Sequence, residues 1–371
     1  MDKWLLILTL FLFAAGLVMV FSASNVAAFM RYQASPYRFV FKQGLFLLVS
    51  FIFSLFVIRV NTKGYTILSW PLIIAFTALL IIVLIYGKTT NQATSWFAIK
   101  GFTLQPSEFI KVITIVWLAG FYELKKDKLN NYSTCFFPIF ICLGVFGLIV
   151  IQPDLGTAII YALIVVFIFF LVPISKRIKF ITSIILIGIA VIASIVLVKS
   201  GKDLISDRQL SRFDYFRPCS EEKFYTDGNQ VCNAYIAINN GNLLGKGLGN
   251  STQKYLYLPE AHTDFIFAIL IEELGLISGI VLLILYMLVL ARMVVIGRRS
   301  INIRGSIMCY GIAFYIFLHI IVNLMGILGL IPMTGVPLPF ISYGGSFTLC
   351  LVVALTLVQR VAIEKNISLG K

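Results

Sequence analysis

The residues best suited to chemistry lie near position 260. In Leu258-Pro259-Glu260-Ala261-His262-Thr263-Asp264, three titratable groups fall within five residues, at the mouth of an apolar run that starts at 265. If a helix starts at Pro259, Glu260 and Asp264 stack one turn apart. Paired carboxylates at an apolar mouth have their pKa raised by desolvation and like charge, as a general base working near neutrality requires. Thr and Asp are equally suited to capping a helix N-terminus, so a base and a cap both stay open. His262, with no Cys partner and no second His nearby, does not make a zinc site.

A second group sits inside an apolar run. Glu108 and Lys111 fall three residues apart on one helix face, where each charge costs about 2.5–3.5 kcal/mol on membrane-insertion scales. A mutual structural ion pair and the polar wall of a substrate cavity both account for them. Gln105-Pro106-Ser107-Glu108 and Gln152-Pro153-Asp154 are similar helix starts, with Pro where its missing N–H costs nothing. The Gly-rich stretch Gly241 to Ser251 has the composition of a phosphate cradle but lacks P-loop spacing, so no nucleotide site follows. His319, with Asn323 one turn on, suits an interhelical hydrogen bond. The Pro- and Gly-dense segment from Pro332 to Ser346 either lines a cleft or connects two spans.

The elements that position these groups follow from composition. Of 371 residues, 60% are hydrophobic and 12% charged, which excludes a single soluble globule. Apolar runs near 4–24, 39–58, 67–86, 106–122, 135–151, 154–173, 180–199, 265–291, 306–330 and 345–362 predict an all-α integral membrane protein of ten transmembrane helices. The chain reads as one polytopic membrane domain, 1–371. An even count puts both termini on one side. With the termini inside, the inner segments hold sixteen Lys and Arg, against Arg31, Arg38, Lys42, Lys88 and Lys100 in the short outer connections, so both termini are expected to be cytoplasmic.

The one long polar segment, 199–263, becomes a large extracytoplasmic loop between the seventh and eighth helices. Four helix N-termini, at 106, 154, 265 and 345, then face the outside and favour an anion there. The net charge of +14 sits between apolar runs rather than in an aromatic-interleaved patch, which argues against nucleic acid. Cys219 and Cys232 lie together in the outer loop, where disulfides persist, while the other four cysteines lie in spans; a Cys219–Cys232 bond is expected.

Taken together, these blocks resemble the SEDS family of shape, elongation, division and sporulation proteins, the RodA/FtsW-like peptidoglycan glycosyltransferases. The resemblance is carried by N-x-A-x-S-W-F at 91–97, QPSEFIK at 105–111, QPDLGT at 152–157, GKGLG at 245–249, Gln253-Lys254, LPEAHTDFIFA at 258–268, EELG at 272–275 and the PMTGVPLPFISYGGS turn. It implies ten spans in the cytoplasmic membrane and polymerisation of lipid II into glycan strands, with a class B penicillin-binding protein as partner. It puts the catalytic carboxylate on Asp264 and substrate-binding roles on Glu108, Lys111, Asp154, Gln152, Arg212, Ser251, Lys254, Glu260 and His262.

Asn229-Gln230 stands where relatives often carry Tyr-Gln, and 239–242 departs from a Gly-Ser-Gly-Gly-like stretch. No protein metal cage is expected; a divalent cation such as Mg or Mn would be held partly by the substrate diphosphate. Two alternatives use the same residues: a lipid II flippase, and a non-catalytic scaffold for the transpeptidase.

Overall fold

The chain is described by a computed structural model over residues 1–90, 93–99, 102–186, 188, 218–220 and 228–368. The helices are α1 (Lys3–Met30), α2 (Arg38–Val57), α3 (Thr62–Tyr86), α4 (Pro106–Leu124), α5 (Tyr132–Ile151), α6 (Leu155–Leu171), α7 (176–186), α8 (Asn229–Gly241), α9 (Ile266–Arg298), α10 (Ile303–Ile327) and α11 (Gly345–Ser368). Seven of them, α1, α2, α3, α5, α9, α10 and α11, are long and apolar enough to cross a membrane. The further part of the expected seventh span lies outside the described residues.

Ile67, Ile74, Ile81 and Ile85 form an exposed stripe on α3, and α2 adds exposed Leu48, Ile52, Leu55 and Phe56. An apolar surface of that extent belongs against lipid. Helix α4 is the opposite case, with nearly every residue from Pro106 to Tyr122 buried by α3, α6, α10 and α11. A helix surrounded on all sides can carry charges only if they pair within the bundle.

The start of α1 is held by the later turns of α9 and α11. Asp2 caps α1 through Leu5 N–H (3.0 Å), takes a bidentate contact from Arg292 near the end of α9 (2.7–3.0 Å), and donates its backbone N–H to Gln359 on α11 (2.7 Å). Chain direction then places the starts of α4, α6, α9 and α11 together at the other end. Gln105 before α4 donates to Asp154 before α6 (2.9 Å).

Two features depart from the expected run of helices. The connection before α4 folds as a small antiparallel sheet, β1 (Lys88–Thr90), β2 (Ala93–Ile99) and β3 (Phe102–Leu104), pairing Lys88 with Trp96 and Phe97 with Leu104. The expected single span at 265–291 is a broken helix. Its 33 residues would reach about 50 Å, against a hydrocarbon core of about 30 Å. Gly275, at φ 84°, divides it, and residues 276–298 supply about 34 Å by themselves.

The break is bonded on both sides. Lys246 and Gly247 N–H cap the Glu272 and Glu273 carbonyls (3.0 and 2.9 Å), while Asn242 and Leu243 carbonyls take Leu276 and Ile277 N–H (2.9 and 3.3 Å). A Cβ at Gly245 would fall 2.3 Å from the Glu273 carbonyl oxygen, so only glycine allows the two backbones to meet. The GKGLG segment therefore splices a helix, and its Lys246 and Gly247 amides are already spent.

Candidate functional site

At the end opposite the termini, the segment 258–265 is stitched to the Pro- and Gly-rich turn after α10. Tyr343 N–H donates to the His262 carbonyl (2.9 Å) and Ser342 Oγ to the Thr263 carbonyl (2.6 Å). Asn323 on α10 donates from Nδ2 to both the Asp264 and Val336 carbonyls, each at 2.8 Å. A methyl group on Gly335 would stand 3.6 Å from Asp264 Oδ2. The turn thus lines the junction around Asp264 rather than merely linking two spans. Phe340 in it, a bulky residue at φ 68°, is braced edge-on by Phe13 at 5.0 Å.

The expected stacking of Glu260 and Asp264 on a helix starting at Pro259 is not what forms. Residues 252–265 are turns, α9 starts at Ile266 and its N-cap position is Phe265, which makes no side-chain cap bond. Asp264 lies one residue too early to cap, and among the described residues its carboxylate accepts no hydrogen bond. The residue is half-buried, and desolvation, followed by the nearby Glu260 charge, pushes its pKa up to about 7. Glu260 accepts from Thr263 Oγ (3.0 Å) and faces Arg31 across 4.0 Å.

His262 is buried between Phe39 and Tyr343, with ring centroids at 4.5 and 5.7 Å. Burial, then Arg31, pushes its pKa down to about 4, so it packs as a neutral ring at physiological pH.

Ser251 and Lys254 lie away from this mouth, on the spliced side of the broken helix. Ser251 Oγ and Thr252 Oγ donate to Glu272 at 2.5 and 2.7 Å, with Lys246 at 3.2 Å. Lys254 is fully buried against Glu273 (2.9 Å), the Gly249 carbonyl (2.6 Å) and Ser22 Oγ of α1 (3.5 Å). These side chains fix the splice, and through it the start of α9.

The intramembrane pair forms: Lys111 Nζ meets Glu108 Oε1 at 2.7 Å and His319 Nε2 at 3.1 Å, with the Lys111 side chain wholly inaccessible. The interhelical bond expected of His319 therefore runs to α4. His319 and Asn323, one turn apart on α10, connect the buried pair to the Asp264 junction. Asp154 accepts Thr157 N–H (3.1 Å) as the N-cap of α6. Gln152 is buried and donates to the Leu80 carbonyl on α3 (3.0 Å). Arg212 lies outside the described residues.

Two contributors escaped the sequence reading. Arg31 entered only as a loop cation, and Asn323 only as a neighbour of His319; nothing in their spacing points to the Asp264 segment 59 or more positions away. The sulfurs of Cys219 and Cys232 are bonded, tying residues 218–220 to α8.

A carboxylate unpaired among the described residues, at the mouth of a polar-cored helical bundle, defines a membrane protein with an ionisable junction at one end of the bundle. The sequence profile of the FtsW/RodA/SpoVE family, described as Cell cycle protein, matches residues 3–367, and the chain belongs to that family.

It is 34% identical over 370 residues to the probable peptidoglycan glycosyltransferase FtsW of Coxiella burnetii, covering 98% of this chain and 96% of the relative. It is also 34% identical to the stage V sporulation protein E of Bacillus subtilis, over 97% and 96% of the two chains. Its fold matches a chain solved in the work "Structural coordination of polymerization and crosslinking by a peptidoglycan synthase complex", with TM-score 0.76, 24% identity and 98% coverage of both. It also matches the rod shape determining protein RodA of Thermus thermophilus, with TM-score 0.69, 24% identity and coverage of 98% and 97%. The chain is a multi-pass protein of the cytoplasmic membrane.

Proposed function

We propose that this chain is a peptidoglycan glycosyltransferase that polymerises lipid II, with Asp264 as its general base. The observation that carries the reading is the Asp264 carboxylate, unpaired among the described residues, its pKa pushed up to about 7, at a junction built by the 258–268 segment and the Pro- and Gly-rich turn after α10. A hydroxyl of the acceptor sugar gives its proton to Asp264 as its oxygen attacks the donor's anomeric carbon. The anomeric C–O bond breaks and the lipid diphosphate leaves with the electron pair.

A diphosphate needs no general acid if its charge is met, and the starts of α4, α6 and α11 together with Arg31 supply positive potential. Lys111 is committed to Glu108 and His319 in this conformation, so we assign that pair to supporting the cavity wall. Among the described residues no three His, Cys, Asp or Glu side chains converge as a metal cage; a divalent cation would depend on the substrate's own diphosphate oxygens.

We further infer ten spans with both termini cytoplasmic, the 199–263 loop outside, and a class B penicillin-binding protein as partner. The contact of Asp2, before α1, with Gln359 in the later turns of α11 supports the even count, and the basic residues at that end support the orientation. The test is purified protein given lipid II. Wild type is expected to make polymer and Asp264→Asn to lose at least about a hundredfold, within the range of general-base catalysis, at normal expression. Translocation without polymer would identify a flippase, and neither activity a scaffold.

A further inference from the structure

The end of the bundle that holds both chain termini contains a cavity of about 260 Å³ that plays no part in the junction at Asp264. Thr62, Lys63, Arg304, Arg360 and Glu364 line it, with Ile367 at its rim. Three elements build it: the first turn of α3, the first turn of α10 and the last turns of α11.

Glu364 fixes the floor, accepting Thr62 N–H and Oγ, both at 2.6 Å, and Arg360 Nε at 3.2 Å. Arg304 is buried, with Nε on Thr62 Oγ (3.2 Å) and its backbone N–H on Glu123 (3.1 Å). Arg360 Nη1 holds the Ile58 carbonyl (3.0 Å). Among the described residues Lys63 and Arg360 Nη2 make no hydrogen bond.

The balance of charge favours an anion. Three cations and one carboxylate line the cavity, and even with Glu123 counted one positive charge is left over. Arg59, Lys125, Lys126, Arg298 and Arg299 end or follow helices at the same level and raise the potential further. The free donors are an ammonium and a guanidinium, which suit tetrahedral phosphate oxygens.

The volume falls below the roughly 300–1,000 Å³ of pockets that enclose drug-sized ligands, so a compact group fits and a nucleotide does not. Ile367, 64% exposed, gives the rim an apolar edge. Basic pockets between membrane helices on the cytoplasmic side are known places for anionic head groups.

We propose that this cavity binds a phosphate group, carried by an anionic phospholipid or as a free ion, between α3, α10 and α11. The probe is phosphatidylglycerol titrated against the full-length protein in detergent and followed by native mass spectrometry, with phosphatidylcholine, whose phosphate is offset by its own choline, as the net-neutral comparison. Lys63→Gln, at an exposed position, is expected to weaken phosphatidylglycerol binding about fivefold, and Lys63→Gln with Arg360→Gln about 25-fold.

Lys125→Gln with Lys126→Gln removes the same charge from the same end and is expected to change binding less than about twofold. Displacement of the lipid by inorganic phosphate assigns the site to the free ion, and retention of the lipid assigns it to the head group. Equal weakening by the two charge pairs, or equal binding of the two lipids, overturns the proposal. If the double variant does not fold, Lys63→Gln alone decides between the same outcomes.

Discussion

Asp264 and the Glu272-Glu273 pair are carboxylates on either side of one short buried helix, and their surroundings are opposite. Glu272 receives Ser251, Thr252, Asn240 and Lys246, and Glu273 receives Ser22 and Lys254. The Asp264 carboxylate receives no hydrogen bond among the described residues and keeps an open edge. A buried charge with every lone pair engaged holds backbone in place; one left without partners at a mouth is free to take a proton. The saturated pair anchors the far end of the half-helix whose near end presents Asp264, so the two sites divide stability and chemistry between them.

The sharpest way to break that division is to unbalance the saturated side. Lys254→Ala leaves Glu273 buried with an uncompensated charge, and breaking such a pair costs about 3–5 kcal/mol. The expected result is a marked loss of folded, monodisperse protein on size exclusion. Asp264→Ala, which removes no bonded partner, is expected to leave that profile unchanged. Equal loss from both variants would remove the distinction.

The Glu108–Lys111 pair stands between the two cases: Lys111 is bonded to Glu108 Oε1 and His319, while Glu108 Oε2 accepts no hydrogen bond among the described residues. Lys111→Ala should destabilise by about 3–5 kcal/mol, for the same reason as Lys254→Ala. Glu108→Ala with Lys111→Ala removes both charges together and should recover folded yield. Polymer length from the double variant then sharpens the assignment: recovered folding without recovered polymer leaves a cavity role, and recovery of both leaves packing alone.

A third, local effect concerns the disulfide beside α8. The Cys219–Cys232 bond closes a chain segment of 13 positions, so Cys232→Ser is expected to cost up to about 3 kcal/mol. The loss should appear as faster hydrogen exchange in α8, with Asp264-dependent polymerisation retained. If α8 exchanges at the wild-type rate, the bond contributes nothing to holding it.

Much of the spanning architecture was legible because lipid imposes long apolar runs, and the observed starts of α2, α4, α6 and α11 fall within one residue of the expected ones. The break in α9 was not legible. Leu274-Gly275-Leu276-Ile277 continues an apolar run, an isolated Gly inside a helix is usually tolerated, and the segment that bonds the break comes from residues 242–247. The β2–β3 hairpin did leave a local signal, with Thr94-Ser95-Trp96-Phe97-Ala98-Ile99 and Phe102-Thr103-Leu104 flanking two residues, Lys100-Gly101. For Asp264, residue types left base and cap unresolved, and only the placement of Phe265 at the N-cap excludes the cap.

The smallest effect, and the one most specific to Asp264, is its pH dependence. As a base, Asp264 acts only when deprotonated, so kcat/KM should rise about tenfold per pH unit below about 7 and level off above it. Glu260→Gln removes the like charge but leaves the desolvation, so the rising limb should move to lower pH while staying above the ordinary carboxylate range near 3.8. The stability linkage has the opposite sense. Because the folded pKa lies above the unfolded value of 3.8, the group favours the fold fully below that value and loses the contribution as pH rises through about 7. Asp264→Asn stays neutral throughout, so above pH 7 it should be no less stable than wild type while making almost no polymer. Thermal unfolding of the two proteins at pH 6 and pH 8, read beside polymer length, separates the outcomes: an Asn variant that loses stability at pH 8 would place Asp264 with Glu272 and Glu273 as a structural charge.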